Sequence, residues 1–516
     1  MSADPSSVVP APAPAAEADL RLHPLSWLFV LVQQAKQFLV PLVALVVFGQ
    51  RGDGYGYEQY GNLFTAGVIV LLVGAAVLRY LTYRYRIGED GLHIRSGLLN
   101  RSRRDIPYAR IHNVVVHQSL LHRLFGVAEL RLESAGGQRP EAEMRVLSLD
   151  RALALERRVR QRGAEPATTN ESGPATATEE PAQRTLLALS TAEVIRLGLV
   201  SNRGMVVVAA GAGLAYQMFP ERTVTHFISA NGEMAYSYVQ RLHPGLLAAV
   251  LAALLLALVA IVALRALSVV LALVQYHGFT LSESERRLTV ERGLLTRVRT
   301  SAARRRIQAW TLEESFLQRL LARRRLRVDT AASDFRGDQG RALRDLAPIA
   351  PPAQCDALIE DLLPGVAWPP QDWSGVRRGQ GWRLALPSLW LLPVAAFLAW
   401  RFGPWAWALL LWLPWSLWLA WRQVARMGYT LDERRIVVRG GWWDRWWRMA
   451  ELDKLQALRL SRSPLDRLCG TASLWLDTAG ATGSAPALRL RLIDAEQAQA
   501  LYERLGRRLA KRQLQW

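Results

Sequence analysis

Two groups of residues in this chain have types and spacings that point to chemistry. His112, His117 and His122 recur at five-residue intervals, and imidazole is a common metal ligand. That interval does not stack side chains on one helix face, and along a strand it alternates faces. No metal site is therefore expected. The chain also has no P-loop, dinucleotide-binding glycine pattern, His-Glu-x-x-His or nucleophile elbow, so no catalytic residues and no cofactor are expected. The second group is basic: Arg101, Arg103, Arg104 and Arg110; then Arg297, Arg299 and Arg306; then Arg445, Arg448 and Lys454. Cationic groups close to an anionic surface gain about 1 kcal/mol each. These residues are candidates for contact with an anionic headgroup or a partner. The alternative is a solvated basic flank that needs no ligand.

The basic groups sit at matching places in a threefold internal repeat. Residues 92–134 align without gaps to 288–330 and 436–478, at offsets of 196 and 344. Gly97 becomes Gly293 and Gly441, Arg101 becomes Arg297 and Arg445, and Arg110 becomes Arg306 and Lys454. Such self-similarity marks a repeated structural unit. The histidines do not repeat: Gln308, Glu313 and Gln318 replace them in one copy, and Gln456, Ser461 and Asp466 in the other. Ser119, Ser315 and Ser463 do repeat, each four residues before Arg123, Arg319 or Arg467. A Ser that opens a short helix caps its free N–H groups, and the Arg one turn later is expected to pin that helix to the β core.

The pattern around these residues is that of β structure. Tyr83–Ile87 and Leu92–Ser96 flank Gly88-Glu89-Asp90-Gly91, a hairpin signal. Residues 111–116 are β-branched and apolar, Leu130 and Leu132 alternate with Arg131 and Glu133, and 144–149 forms a further strand. A helix is expected over 149–160. Short strands closed by one helix predict a small β-sandwich or barrel with a capping helix. In the third copy, Trp442, Trp443, Trp446 and Trp447 crowd the turn held elsewhere by Leu98-Leu99 and Leu294-Leu295. That tip either inserts into the headgroup layer, where tryptophan is favoured, or packs against another module.

Apolar runs separate the β units. The expected organisation is a disordered tail (1–20), a first helix pair (27–81), module 1 (82–161), a linker (162–184), a second pair (199–274), module 2 (275–363), a third pair (383–421) and module 3 (427–510). Residues 186–199 read as an amphipathic helix, and 205–218 as a short span that needs help from Leu199 and Val200. Arg265 interrupts the long run 246–274 and is expected to snorkel to the interface. Arginine-rich segments follow each pair, so the positive-inside rule puts all three modules in the cytosol if there are six spans. The net charge of +20 favours an anionic partner, and the apolar runs favour a membrane over nucleic acid. Two cysteines, Cys355 and Cys469, exclude a disulfide scaffold. No acidic residue lies within the apolar runs, which counts against a transporter.

A helix pair, a hairpin ending Arg95-Ser96-Gly97-Leu98-Leu99, then Ile106-Pro107-Tyr108-Ala109-Arg110-Ile111 and Gln118-Ser119-Leu120-Leu121-His122-Arg123-Leu124-Phe125-Gly126 resembles the bacterial pleckstrin-homology-like (PH-like) membrane proteins of the YdbS/YdbT type. The Arg21-Leu22-His23-Pro24 lead-in is similar too, and the three-module length resembles the longer, YdbT-like members. Copy three departs most, with Glu451-Leu452-Asp453 in place of Pro107-Tyr108-Ala109. The resemblance implies an α + β membrane protein: three pairs of transmembrane helices, each followed by a cytosolic PH-like β-sandwich or barrel with a C-terminal helix. It implies no reaction. It implies a multi-pass protein of the bacterial cytoplasmic (inner) membrane, acting as a scaffold or lipid- and protein-binding platform. Anionic membrane lipids and a membrane-protein partner, such as a shorter single-module homologue, are the implied partners. Some members are associated with envelope stress or antimicrobial tolerance. The alternative is a transporter or transport-accessory subunit.

Overall fold

The computed structural model describes residues 81–88, 90–97, 101–134, 142–162, 183–218, 245–330, 343–365, 368–479 and 485–511, with scattered positions in 20–31, 67–78 and 225–237. Residues 1–19 of the expected tail lie outside the described residues, as does nearly all of the linker and of the first helix pair, and Leu20 opens a strand. The chain divides into two compact units, one ending near residue 176 and the other running from there to the C-terminus.

In the first unit, β1 (Leu20–Arg21), β2 (Arg84–Ile87), β3 (Gly91–Ser96) and β4 (Ser102–Pro107) form one antiparallel sheet in that order. β5 (Ile111–Gln118), β6 (Val127–Ser134) and β7 (Ala142–Ser148) form a second layer, with α1 (Leu120–Leu124) between β5 and β6. The period-2 alternation sets the core. Leu92 and Ile106 pair across β3 and β4, and Val116 and Leu130 across β5 and β6. All four are buried. Helix α2 (Leu149–Arg162) closes the sandwich with Ala152, Leu155 and Val159. Gly91 is required here, because a Cβ would lie 2.4 Å from the Ile106 carbonyl oxygen.

The second unit begins with a difference from expectation. Residues 184–188 form a strand, β8 (Arg184–Ala188), and the helix α3 (Thr191–Val200) starts only after Ser190. Leu187 of β8 pairs with Leu281, so the sheet overrides the apolar run that reads as helix. After Ser201-Asn202 the chain continues as α4 (Arg203–Met218), bent by 55° from α3. The help that 205–218 needs from Leu199 and Val200 thus comes through a bend. α5 (Leu246–Tyr276) runs 31 residues. Module 2 follows with β9 (Thr280–Ser284), β10 (Arg287–Arg292), β11 (Arg297–Ala303), β12 (Ile307–Glu314), α6 (Phe316–Leu320), β13 (Arg324–Thr330), β14 (Asp345–Ala350) and α7 (Pro352–Leu362).

A two-residue strand, β15 (Ser374–Gly375), and 3-10 turns over 378–384 and 386–390 lead into α8 (Leu391–Phe402). Gly403, at φ +111°, breaks the helix before a 3-10 segment over 404–411 and α9 (Trp412–Arg426). Module 3 contains β16 (Gly428–Leu431), β17 (Arg435–Gly440), β18 (Arg445–Glu451), β19 (Leu455–Ser461), α10 (Pro464–Leu468), β20 (Thr471–Thr478), β21 (Arg489–Asp494) and α11 (Ala495–Ala510).

Modules 2 and 3 share a sheet. Its seven strands run β14-β13-β12-β18-β17-β16-β15. The junction is the antiparallel pair β12–β18, from Ala309↔Ala450 to Glu314↔Arg445. Module 3 completes its sandwich with the three-stranded sheet β19-β20-β21.

Among the described residues, two helical stretches are long and apolar enough to cross a membrane: Val250–Tyr276 and Arg378–Phe402. The bent α3–α4 pair is a third if it counts as one span. Three helix pairs are therefore not established, and six spans stay a proposal.

Candidate functional site

The basic repeat positions have different surroundings in the three modules. In module 1, Arg101, Arg103, Arg104 and Arg110 are exposed, and Arg103 approaches Asp105 at 3.5 Å. In module 2, Arg297 and Arg299 both reach Glu291, at 2.8 and 3.4 Å, and Arg306 is half-buried ahead of β12. In module 3, Arg445 lies 3.7 Å from Glu314 of module 2. Lys454 Nζ donates to the Ile307 carbonyl at 2.6 Å and pairs with Glu451 at 3.0 Å.

Of the residues expected to contact a headgroup or a partner, Arg448 is the most enclosed. It is 2% exposed and donates to Asp329 at 2.6 Å. The cause is its strand. β18 is interior to the seven-stranded sheet, so the position that carries exposed Arg104 in module 1 faces a neighbouring module here. Lys454 is engaged in the same way, because its ammonium caps a backbone carbonyl of module 2.

The tryptophan tip packs against protein. Trp443 stacks on Phe316 of module 2 with ring centroids 4.6 Å apart. Arg319 donates to the carbonyls of Trp442 and Trp443 at 3.4 and 3.0 Å. Arg319, which follows the capping Ser315, therefore ties its helix to the next module's turn. Trp442 meets Trp418 of α9 edge-on at 4.9 Å. Trp447 is half-buried against the module 2 core, under the guanidinium groups of Arg324 and Arg426. Trp446 is also half-buried.

A cleft of about 670 Å³ opens where the α3–α4 bend meets modules 2 and 3. Its lining includes Ser201, Asn202, Arg203, Glu313, Arg325 and Arg445. Beside it, Asp345 accepts from Arg325 at 2.6 Å and from the Tyr276 hydroxyl at 2.6 Å. Arg203 donates to the same hydroxyl at 2.8 Å, and Arg292 stacks over the Tyr276 ring at 4.7 Å. Burial pushes the Asp345 carboxyl up, but Arg325, Arg292, the Tyr276 hydroxyl and Arg327 outweigh it and hold it well below the usual carboxylate range. Arg265, expected to snorkel, has defined protein partners. It donates to the Leu199 and Ser201 carbonyls at 3.0 Å and to Asn202 at 3.2 Å, closing the C-terminus of α3 at the bend.

This arrangement locks a joint; it is not built for proton transfer. The carboxylate is held ionised among guanidinium groups, whereas a general base needs a pKa near the working pH. Burial pushes the Cys355 thiol up to about 12, which removes it as a nucleophile. Among the described residues no His, Cys, Asp or Glu cluster could hold a metal.

Ser119, Ser315 and Ser463 are the N-caps expected from the sequence. What the sequence reading missed is the part played by the residue three positions on. Gln318 and Asp466 form full capping boxes, and His122 bonds Ser119 Oγ at 2.6 Å. Ser-x-x-Gln/Asp is a readable signature, and it accounts for His122 without a metal.

Comparison with known proteins agrees with this architecture. The family model "Bacterial PH domain" matches three times, over residues 30–163, 242–354 and 385–509. The chain is 20% identical over 430 residues to the UPF0699 transmembrane protein YdbT of Bacillus subtilis, covering 81% of this chain and 84% of that protein. No solved structure matches.

Proposed function

The chain belongs to the bacterial PH domain family, and on that premise we propose that it is a non-enzymatic scaffold anchored in the bacterial cytoplasmic membrane. Its three PH-like modules lie on the cytosolic side of six spans and bind other proteins. One observation carries this reading: modules 2 and 3 join by strand addition along β12–β18. Backbone pairing gives such a contact its affinity, and the side chains that alternate along it give specificity. The basic residues expected to read headgroups in module 3 are instead engaged in that junction. Positive-inside asymmetry supports the topology. A part in envelope stress or antimicrobial tolerance rests on the family resemblance alone.

A second reading is favoured only by module 1, whose Arg101, Arg103, Arg104 and Arg110 are all exposed. There, contact with anionic lipid supplements the scaffold. The transporter alternative has no acidic residue in the apolar helices to support it.

Cross-linking of the full chain in its native membrane, followed by quantitative mass spectrometry, tests the proposal. A scaffold retains at least one protein at fixed stoichiometry. Retention of anionic lipid alone, lost on charge reversal at Arg101, Arg103 and Arg104, replaces it with the lipid reading. Substrate-specific flux in proteoliposomes would restore the transporter.

A further inference from the structure

β12 and β19 occupy the same place in the repeat, 148 residues apart (344 minus 196). β12 carries strands on both sides, β13 and β18. β19 pairs with β20 alone among the described residues. Among the described residues no strand lies on its other side, and such an edge is a template for another strand. An open groove between β19 and α11, lined by Ala457, Leu458, Tyr502 and Gly506, lies beside that edge. On module 2 the corresponding side receives Val437 and Met449 of module 3, which join its core.

From these relations we infer that β19 is the docking strand for a PH-like module of a different polypeptide, and that the incoming strand carries carboxylates opposite Arg459 and Arg462. The inference rests on the scaffold reading and names where and what the scaffold binds. The charge assignment comes from the register of the occupied junction. There Thr311 faces Arg448 and Glu314 faces Arg445. Transposed to β19, Arg459 stands in place of Thr311 and Arg462 in place of Glu314. Both are exposed, and Arg462 also donates to the Ala495 carbonyl.

A second copy of this chain is a poor occupant. The strand that fills such an edge carries Arg at the position facing Arg462 in all three repeats: Arg101, Arg297 and Arg445. Module 1 also places Arg104 opposite Arg459. Like charges directly opposite destabilise a strand pair, and opposite charges support it. The edge thus excludes its own modules and selects an acidic one. This is specificity by repulsion as well as attraction.

The test uses the full chain in nanodiscs and a backbone-cyclised hairpin copying residues 432–452. One version has the parent sequence; the other carries Arg445→Glu and Arg448→Glu. The acidic hairpin is expected to bind about tenfold more tightly than the parent and to protect the amides of 455–461 from hydrogen exchange. The chain bearing Arg459→Glu and Arg462→Glu should reverse that order. Failure of both hairpins to protect 455–461 in either chain overturns the inference, as does protection that ignores the charges. Cross-linking of two chains through Arg459→Cys without any hairpin would seat a second copy there and also overturn it. A native-membrane partner that survives Arg459→Glu and Arg462→Glu removes this edge from the scaffold while leaving the scaffold itself standing.

Discussion

Arg448 of module 3 and Asp329 of module 2 form an ion pair at 2.6 Å with side chains only 2% and 6% exposed. Thr311 accepts a second hydrogen bond from the same guanidinium at 3.4 Å. The pair lies at the strand junction that makes one sheet of two modules. A buried pair is weak evidence of net stability, but removal of one partner strands the other charge.

Arg448→Met should therefore loosen the junction by about 3–5 kcal/mol. Adding Asp329→Leu should recover most of that loss, because the stranded carboxylate is gone. Hydrogen exchange of the β12 and β18 amides in the detergent-solubilised chain reads both changes. Equal exchange in Arg448→Met and the parent chain would show that the junction does not depend on this pair.

The bend between α3 and α4 is held against α5 by close backbone approach. A Cβ on Gly204 would lie 2.4 Å from the Leu264 carbonyl oxygen, and the Gly204 N–H donates to Ser268 Oγ at 2.8 Å. Gly→Ala in a helix gains up to about 1 kcal/mol from propensity. Overpacking against fixed backbone costs about 1–3 kcal/mol, so Gly204→Ala should be destabilising on balance. Gly211 lies in the same helix with nothing within 4 Å, and Gly211→Ala should be neutral or stabilising. Thermal unfolding of the two variants separates them, and a Gly204→Ala chain as stable as Gly211→Ala would refute the tight crossing.

His117 predicts how module 1 responds to acid. Burial, then the Arg131 and His122 charges, lower its pKa from 6.5 to about 4. Glu129, 3.6 Å away, works in the opposite sense but is itself held by Arg131 at 2.7 Å. The unfolded chain binds the proton near pH 6.5 and the folded chain only near 4, so the unfolded state holds more protons in between. Stability is whole above about pH 6.5 and falls as pH drops towards 4. The loss should reach about 1–3 kcal/mol. His117→Gln should flatten the profile between pH 6.5 and 4. Proteolytic susceptibility of module 1 against pH checks it, and an unchanged profile in His117→Gln would locate the acid sensitivity elsewhere.

Much of this fold is legible in the sequence because the repeat fixes register three times over. The Gly88–Gly91 hairpin, the alternation of Leu130 and Leu132 and the helix after Leu149 follow from periods of two and 3.6 that burial enforces. What one repeat cannot disclose is its neighbour. Arg104 and Arg448 are equivalent in sequence, yet one is exposed on an edge strand and the other is buried in a shared sheet. Strand β8 is hidden for a similar reason. Its apolar residues pair with β9, nearly a hundred residues away, and a local window cannot register that.

The tip of module 3 gives the last prediction. Trp443 is about half exposed and stacks on Phe316, while Arg319 holds the backbone of the turn. An offset aromatic pair adds about 0.5–1.5 kcal/mol beyond its buried area. If the tip is a clasp between modules, Phe316→Ala should free it, and Trp443 emission should shift to the red as water gains access. A Trp443-only chain in nanodiscs, with its other tryptophans replaced by phenylalanine, reports this directly. Brominated lipid should quench that emission weakly in the parent background. Strong quenching there, insensitive to Phe316→Ala, would mean that the ring sits in the headgroup layer. The clasp would then be the minor role of the turn, and Arg319 would hold a membrane anchor in place of an intermodule contact.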